Sequence, residues 1–406
     1  QSSCDAVWRK VTSFTHEKNV QTVQVRAGSH RVIVSDNESL AIFDPATGGI
    51  LKMKPADVIG RYVPVASNPR LPFGTFGDRD LGWWVGAFLS DGWISGNTLG
   101  FAKLEQSKRD RFISLTRTHV HDNFLAKTHA QAGTGDSYKY GNSAKVHMNG
   151  ADLVQAVSEF DLYEPASASS DRSALRKRIP AALLAEASEE FLWGILSGLL
   201  DGDGSLSKNM VTGKPRFGAR FNTSSPSLRR SVEELLYRLG LSFSTTVSPP
   251  RGQSKEAYII CISTLDLWDK LGKLSVVGAR EKELISEWMT YKPTDAGNND
   301  PIPLTTDEAH ALIEITRKPD PTTYSTLRKY LSNPRLSRNK LKDLIATYGL
   351  KEAEFKSLFA RVNNENICWC SVDSVEDAGK RDVFDIAVEG TKTFFVNNGL
   401  LIYDTM

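Results

Sequence analysis

The stretch Leu196-Ser197-Gly198-Leu199-Leu200-Asp201-Gly202-Asp203-Gly204 decides how this chain is read. It is an apolar run, small at two positions of one helical face, that stops in an acidic Asp-Gly-Asp-Gly turn. About 112 residues upstream stands a weaker copy, Trp84-Val85-Gly86-Ala87-Phe88-Leu89-Ser90-Asp91-Gly92. Each copy has glycine at its third position, Gly86 or Gly198, where a missing Cβ lets two helix backbones approach more closely than Leu or Phe would allow. Packed together there, the helices bring Asp91 and Asp203 side by side at their C-terminal ends, where the carboxylates repel each other and meet the negative ends of two helix dipoles. A cation between them relieves both effects. Oxygen-rich sites of this kind suit Mg²⁺, or another divalent cation such as Mn²⁺, held by one or two carboxylates, waters and substrate phosphates. The expected metal residues are Asp91 and Asp203 with the adjoining Gly92 and Gly204, and the expected chemistry is metal-assisted phosphodiester cleavage. One Asp-Gly is ordinarily only a glycine-capped helix stop; two copies at domain-sized spacing point to a duplicated site.

At 406 residues the chain has length for two or three domains. Charged residues are 24% and the net charge is +2, which indicates neither a disordered nor a membrane protein but leaves room for a basic face. The four cysteines, Cys4, Cys261, Cys368 and Cys370, are scattered, and Cys368-Trp369-Cys370 lacks the two-residue gap of a zinc knuckle, so reduced thiols without zinc are expected. No apolar run reaches membrane-spanning length and the N-terminus has no signal-peptide pattern, so a soluble, intracellular protein with no membrane partner is expected.

The nonamer at 196–204 resembles the LAGLIDADG signature of homing endonucleases, matching it at Leu196, Gly198, Leu199, Asp201, Asp203 and Gly204. The copy at 84–92 keeps Gly86, Asp91 and Gly92 and has Leu89 where the signature has its first Asp. The resemblance gives the catalytic role to the Asp beside the final Gly, hence to Asp91 and Asp203. It implies a monomer that cuts both strands of double-stranded DNA at a long specific target site. Lys177-Arg178-Ile179-Pro180 is similar to the Lys-x-Ile-Pro block of intein endonucleases, whose lysine sits near the scissile phosphate, so Lys177 is expected to stabilise developing charge or tune the attacking water. Pseudo-symmetry asks for a second basic group in Gly278-Ala279-Arg280-Glu281-Lys282, and Lys282 is taken over Arg280.

Both ends of the chain read as short β-branched or aromatic runs, Val11–Phe14, Thr22–Val25, Arg31–Val34 and Leu40–Phe43 at one end, Val372–Val375, Val383–Val388, Phe394–Val396 and Leu400–Tyr403 at the other. This layout resembles an intein whose splicing domain is interrupted by the endonuclease; Val383–Gly390 with Asp385, followed by Phe394–Asp404, is similar to the intein C-terminal blocks. The departures are chemical. Ser35-Asp36-Asn37-Glu38 stands where Thr-x-x-His is usual, Lys392 takes an upstream His position, and Tyr403-Asp404 replaces His-Asn. An ionised Asp carboxylate cyclises less readily than an Asn amide, and Tyr does not shuttle protons near neutral pH as imidazole does, so splicing is expected to be impaired or lost. A splicing-competent element and a DNA-binding protein without catalysis stay open as alternatives.

The expected fold class is therefore α+β: a pseudo-twofold duplicated LAGLIDADG domain of αββαββα type at 73–294, with repeats at about 73–180 and 181–294, inserted in an all-β Hint-like domain at 1–72 and 364–406, plus a small helical subdomain at 295–363. Within it, Arg111–Thr116 reads as a strand and Pro226–Leu239 as a core helix ending at Gly240. Lys139 and Lys145 in the first repeat, and Lys208, Lys214, Arg216 and Arg220 in the second, are candidate DNA contacts. Strand alternation puts Lys214, Arg216 and Arg220 on one face of a ribbon that fits a major groove, or simply on a solvated face. Over 305–362, 11 Lys and Arg stand against 7 Asp and Glu. Helices at about 306–317, 322–332, 337–347 and 351–362, carrying Arg328, Lys329, Arg338 and Lys340, read as a helix-turn-helix-like DNA module or as a packing lobe.

Overall fold

The computed structural model describes residues 9–28, 30–66, 72–131, 143–165, 173–250, 256–291, 301–317, 324–325, 328, 336–396 and 399–403. Lys139, Lys329, Asp404 and Cys4 lie outside the described residues. The chain divides into two compact units, Arg70–Asp295 and the two ends Gln1–Pro69 with Ala296–Met406.

Unit Arg70–Asp295 is built twice over. Helix Arg79–Asp91 starts where the Asp78 side chain accepts the Leu81 N–H, and helix Glu189–Asp201 starts where the Ser188 hydroxyl accepts the Phe191 N–H. Both helices are apolar on all sides because both are enclosed: Trp83, Trp84, Val85 and Phe88 in the first and Phe191, Leu192, Ile195, Leu196 and Leu199 in the second are fully buried. They touch along glycines. A Cβ on Gly86 would lie 2.2 Å from the Ile195 carbonyl oxygen and one on Gly198 would lie 2.2 Å from that of Trp83; Gly82 and Gly194 stand in the same relation one turn earlier. Main chain therefore packs directly on main chain.

Each helix is followed by the same order of elements. The first repeat runs through strands Gly92–Ser95 and Thr98–Ala102, helix Gln106–Leu115, strands Leu125–Gln131 and Ser143–Asn149, and helix Ala151–Glu159. The second runs through Gly204–Val211, Lys214–Thr223, helix Pro226–Arg238, Phe243–Ser248, Ala257–Ile262 and helix Thr264–Trp268. Both four-stranded antiparallel sheets have the strand order first, second, fourth, third. One core runs through both repeats, from Phe101, Phe112 and Val146 to Leu206, Phe221 and Ile260. The expected strand at Arg111–Thr116 is instead helical, Arg111–Leu115 closing helix Gln106–Leu115 and Thr116 opening the helical turn Thr116–Val120. Phe112 and Leu115 turn inward at helical spacing, and Thr116 donates to the Phe112 carbonyl while accepting the Trp84 indole N–H. The β-branched Ile113 and Thr116 favoured a strand locally, and the buried partner decided otherwise.

The other unit is an eight-stranded sheet that draws on both chain ends. The short runs expected at the termini merge: Val11–Ala27 is one long strand, antiparallel along most of its length to Ile367–Val388, with bulges where the register shifts. Helices Thr306–Thr316, Arg338–Tyr348 and Lys356–Asn363 share a core with this sheet, Leu312, Leu341, Leu344, Leu358 and Val362 meeting Phe43, Tyr62, Ile367 and Trp369. Arg338 differs from its expected place on a DNA surface. It is buried, and its guanidinium donates to the carbonyls of Arg361 (2.7 Å), Val362 (2.8 Å) and Ile367 (2.6 Å), satisfying acceptors left over at a helix end. Arg328 and Lys340 are exposed. Much of the second expected helix, 322–332, falls outside the described residues.

The helix contact makes a sharp expectation. Gly198→Ala forces a methyl into the Trp83 carbonyl and should destabilise the protein by about 1–3 kcal/mol or unfold this unit. Gly272→Ala, whose new Cβ would only touch the end of Met289 at 3.8 Å, should change little in the same thermal melt.

Candidate functional site

The site forms where the two glycine-packed helices end. Asp91 is the last residue of the first helix, and Asp203 lies just past the C-cap of the second, where the Gly202 N–H donates to the Gly198 carbonyl at 3.0 Å. Ser90 and Gly202 occupy matching places in the two copies and face each other: a Cβ on Gly202 would meet the Ser90 Cβ at 2.2 Å and an Asp91 carboxylate oxygen at 3.1 Å. Gly92 and Gly204 are also sterically required, since a Cβ would fall 2.4 Å from the Phe88 ring or from the Leu200 Cα.

Three lysines converge on these helix ends. Lys103 Nζ bonds the Asp91 carboxylate at 2.8 Å and the Gly202 carbonyl at 2.9 Å, so it spans both copies. Lys177, only 4% exposed, shares its three N–H groups among the carbonyls of Phe88 (3.0 Å), Leu89 (2.9 Å), Ser90 (3.2 Å) and Gly92 (2.7 Å), and so caps the negative end of the first helix. Lys108 is buried at the end of the second helix, 3.0 Å from the Asp201 carbonyl and 2.7 Å from Glu105. Lys282, expected as the second basic group, is exposed on helix Ala279–Met289. Lys103 and Lys108 were not singled out in the sequence. Lys103 was findable from hairpin register: Gly92 pairs with Phe101 and Gly204 with Phe221, so Lys103 and Thr223 hold equivalent places two residues on. Lys108 was findable from its place on the helix stripe that carries Phe112 and Leu115.

The two acids of the second signature have different surroundings. Asp201 is buried and accepts from the Trp83 indole (2.8 Å) and from the backbone N–H groups of Val277 (2.7 Å) and Gly278 (3.1 Å). It fastens the second repeat's tail to the helix pair; the first copy has Leu89 at this place, in the core. Asp203 instead lines a cavity of about 310 Å³ with Ser90, Lys177, Asn222, Thr223 and Ser224. Desolvation by the walls around it and repulsion from Asp91 push its carboxyl up to about 6, against the pull of Lys177 and Lys103. Its side chain still opens to solvent on one side. Burial lowers Lys177 to about 8, with Asp203 and Asp91 acting in the opposite sense.

The sheets carry the other basic candidates. Lys214, Arg216 and Arg220 are exposed on one face of strand Lys214–Thr223, while Ala219 and Phe221 turn to the core. Lys208 lies across from Phe217, on the opposite face from those three, and pairs with Glu287. Lys145 stands half-buried on its strand between the core residues Ala144 and Val146. In the β-rich unit, the Tyr403 N–H donates to the carbonyl of Ser39, the residue after Glu38, at 3.0 Å. Lys52 sits over the Tyr403 ring, Lys392 is exposed, and Asp385 accepts the N–H of Ile386.

Asp203 gives a pH signature. The folded chain keeps its proton up to about pH 6, whereas the unfolded chain releases it near 3.8, so this group's contribution to stability falls as pH rises through that window and is level above it. Melting temperatures of Asp203→Asn minus wild type, without divalent cation, should climb from pH 4 to pH 6 and then flatten. A difference that stays constant across the window would refute the assignment.

A family profile described as a LAGLIDADG-like domain matches residues 190–280. The replicative DNA helicase DnaB of Nostoc sp. is 28% identical over 246 residues, covering 55% of this chain and 26% of the helicase. The DNA-directed RNA polymerase subunit Rpo1C of Methanocaldococcus jannaschii is 20% identical over 451 aligned positions, covering 98% of this chain and 48% of the subunit. The chain thus spans between a quarter and a half of the length of these relatives. Among solved structures, a mesophilic variant of the homing endonuclease I-DmoI is similar at a TM-score of 0.32 and 12% identity, covering 49% of this chain and 98% of that one. Among the described residues no helix is long and apolar enough to cross a membrane. The part of the chain that matches the LAGLIDADG-like domain profile, residues 190–280, takes in nearly all of the second signature helix, its sheet and Asp203.

Proposed function

We propose that this chain is a site-specific double-strand DNA endonuclease of intein origin. The observation that carries the reading is the meeting of Asp91 and Asp203 at the ends of two main-chain-packed helices, with Asp203 lining a cavity. The donor set fits a hard divalent cation: two carboxylates, of which Asp203 is raised by desolvation and by repulsion from Asp91, with an open side at Asp203 for water and a phosphate oxygen. Asp91 and Asp203 would hold Mg²⁺ or Mn²⁺, which supplies Lewis acidity and favours deprotonation of an attacking water. Lys177 and Lys103 hold positive charge over the same helix ends and would stabilise the charge that develops on the phosphate. Lys214, Arg216 and Arg220 would follow the DNA backbone and groove from their common face.

Intein origin is supported by two features. The β-rich unit is made of both chain ends, with Arg70–Asp295 between them. Related sequence also occurs within a helicase and within an RNA polymerase subunit, two proteins with different activities, as expected of an element that inserts into hosts. Glu38, Lys392 and Tyr403 offer no imidazole for the splicing steps, which favours impaired or lost splicing. A DNA-binding role without catalysis has two observations in its favour: Lys103 already neutralises Asp91, and Lys177 occupies the Gly92 carbonyl.

A library of candidate target sites in plasmid, incubated with protein and Mg²⁺, separates these readings. Linear product is expected for wild type. Asp203→Asn should still shift a target fragment in a gel yet lose double-strand cleavage, by roughly a thousandfold or more for loss of a metal-holding group. Wild-type cleavage of both strands by that variant would overturn the reading. For the splicing half, the chain expressed between foreign flanks should remain unjoined by mass spectrometry.

A further inference from the structure

In the β-rich unit a ring nitrogen of His30 and the Sγ atoms of Cys368 and Cys370 lie within 4.8 Å of one another. Strand register brings them there. Cys368, Cys370 and Val372 share one face of strand Ile367–Val388, by the two-residue period of a strand. Ala27 pairs with Val372 on one side and with His30 on the other. The intervening strand ends at Ala27, and Gly28 follows at φ +59 with no Cβ; one built there would stand 4.0 Å from Cys370 Sγ. The turn is held in place because the Gly28 N–H donates to the Asp373 carboxylate at 2.8 Å. The shared face is the apolar one: Ala27, Val32, Val34 and Val372 are buried, and both cysteines pack at the margin of that core. Cys368 and Cys370 carry thiols, not a disulfide.

Two sulfurs and an imidazole form a borderline-soft donor set, unlike the all-oxygen set at Asp91 and Asp203. We propose that His30, Cys368 and Cys370 bind one zinc ion, with a solvent molecule in the fourth position, and that this ion fastens the turn after Val11–Ala27 to strand Ile367–Val388. Zinc–sulfur bonds of about 2.3 Å and zinc–nitrogen bonds of about 2.0 Å require ligand atoms about 3.5–3.8 Å apart in a tetrahedron. Side-chain rotation of three half-buried residues supplies the remaining ångström. Binding converts two thiols to thiolates and releases their protons to solvent. Cys368-Trp369-Cys370 was expected to be without zinc for want of a knuckle's spacing; the third donor, His30, comes from a remote segment, outside any short-motif spacing.

The full chain, stripped with chelator and kept under a phosphine reductant, is titrated with Co²⁺. A thiolate-to-cobalt charge-transfer band with tetrahedral d–d absorption should grow to saturation at one equivalent and vanish on adding Zn²⁺. Cys368→Ser and Cys370→Ser should each remove most of the band, and Cys261→Ser should leave it unchanged. His30→Gln, a milder change, should weaken binding by roughly tenfold or more. Zinc should raise the melting temperature of wild type and not of the double cysteine variant, whose stripped form melting with stripped wild type shows that it folds. Absence of the charge-transfer band, or its persistence in the double cysteine variant, overturns the proposal.

Discussion

The contact between helices Arg79–Asp91 and Glu189–Asp201 governs the larger unit. Gly82, Gly86, Gly194 and Gly198 bring carbonyl oxygen and Cα of one helix against those of the other, closer than any side chain permits. Glycine inside a helix costs about 1 kcal/mol relative to alanine, and four of them are tolerated because the flanking Trp, Phe and Leu side chains are buried on every other side. This closeness sets the spacing of the helix ends. It is therefore what places two carboxylates in electrostatic contact, with Lys103 and Lys177 beside them.

The duplication is faithful in topology and uneven in chemistry. Both repeats share element order and strand order. Yet Lys103 has Thr223 as its register counterpart, and Asp201 corresponds to Leu89. One helix end is capped by Lys177 through four carbonyls; the other is served by Lys108 together with the backbone N–H groups that Asp201 collects. The two halves thus neutralise equivalent helix ends by different means, and Asp203 faces the cavity with its carboxyl shifted upward.

The β-rich unit follows a separate logic. Its longest pairing joins residues from the start of the chain to residues near its end, so its core cannot form until both are present. The helices between residues 306 and 363 add their apolar faces to that same core, and Arg338 and Arg361 spend their charge on buried carbonyls and on Glu308 rather than on the surface.

Much of this was legible beforehand. The nonamers announced two helices with acids at their ends, the helix at 226–238 was set by its leucine spacing, and the exposure of Lys214, Arg216 and Arg220 followed from alternation; these are local properties, carried by period and by glycine. What local pattern could not carry was partnership. Arg111–Thr116 looked like a strand until Trp84 claimed Thr116, Arg338 looked like a surface cation until unpaired carbonyls enclosed it, and Lys103 gained its place from hairpin register. Sequence by itself determined the duplicated acidic helices and the β character of both ends. Tertiary structure alone decided that Lys103 and Lys108 reach the helix ends, which groups hold Asp201, and that His30 meets Cys368 and Cys370, because each depends on distances between segments that are remote along the chain and become neighbours only when the core closes.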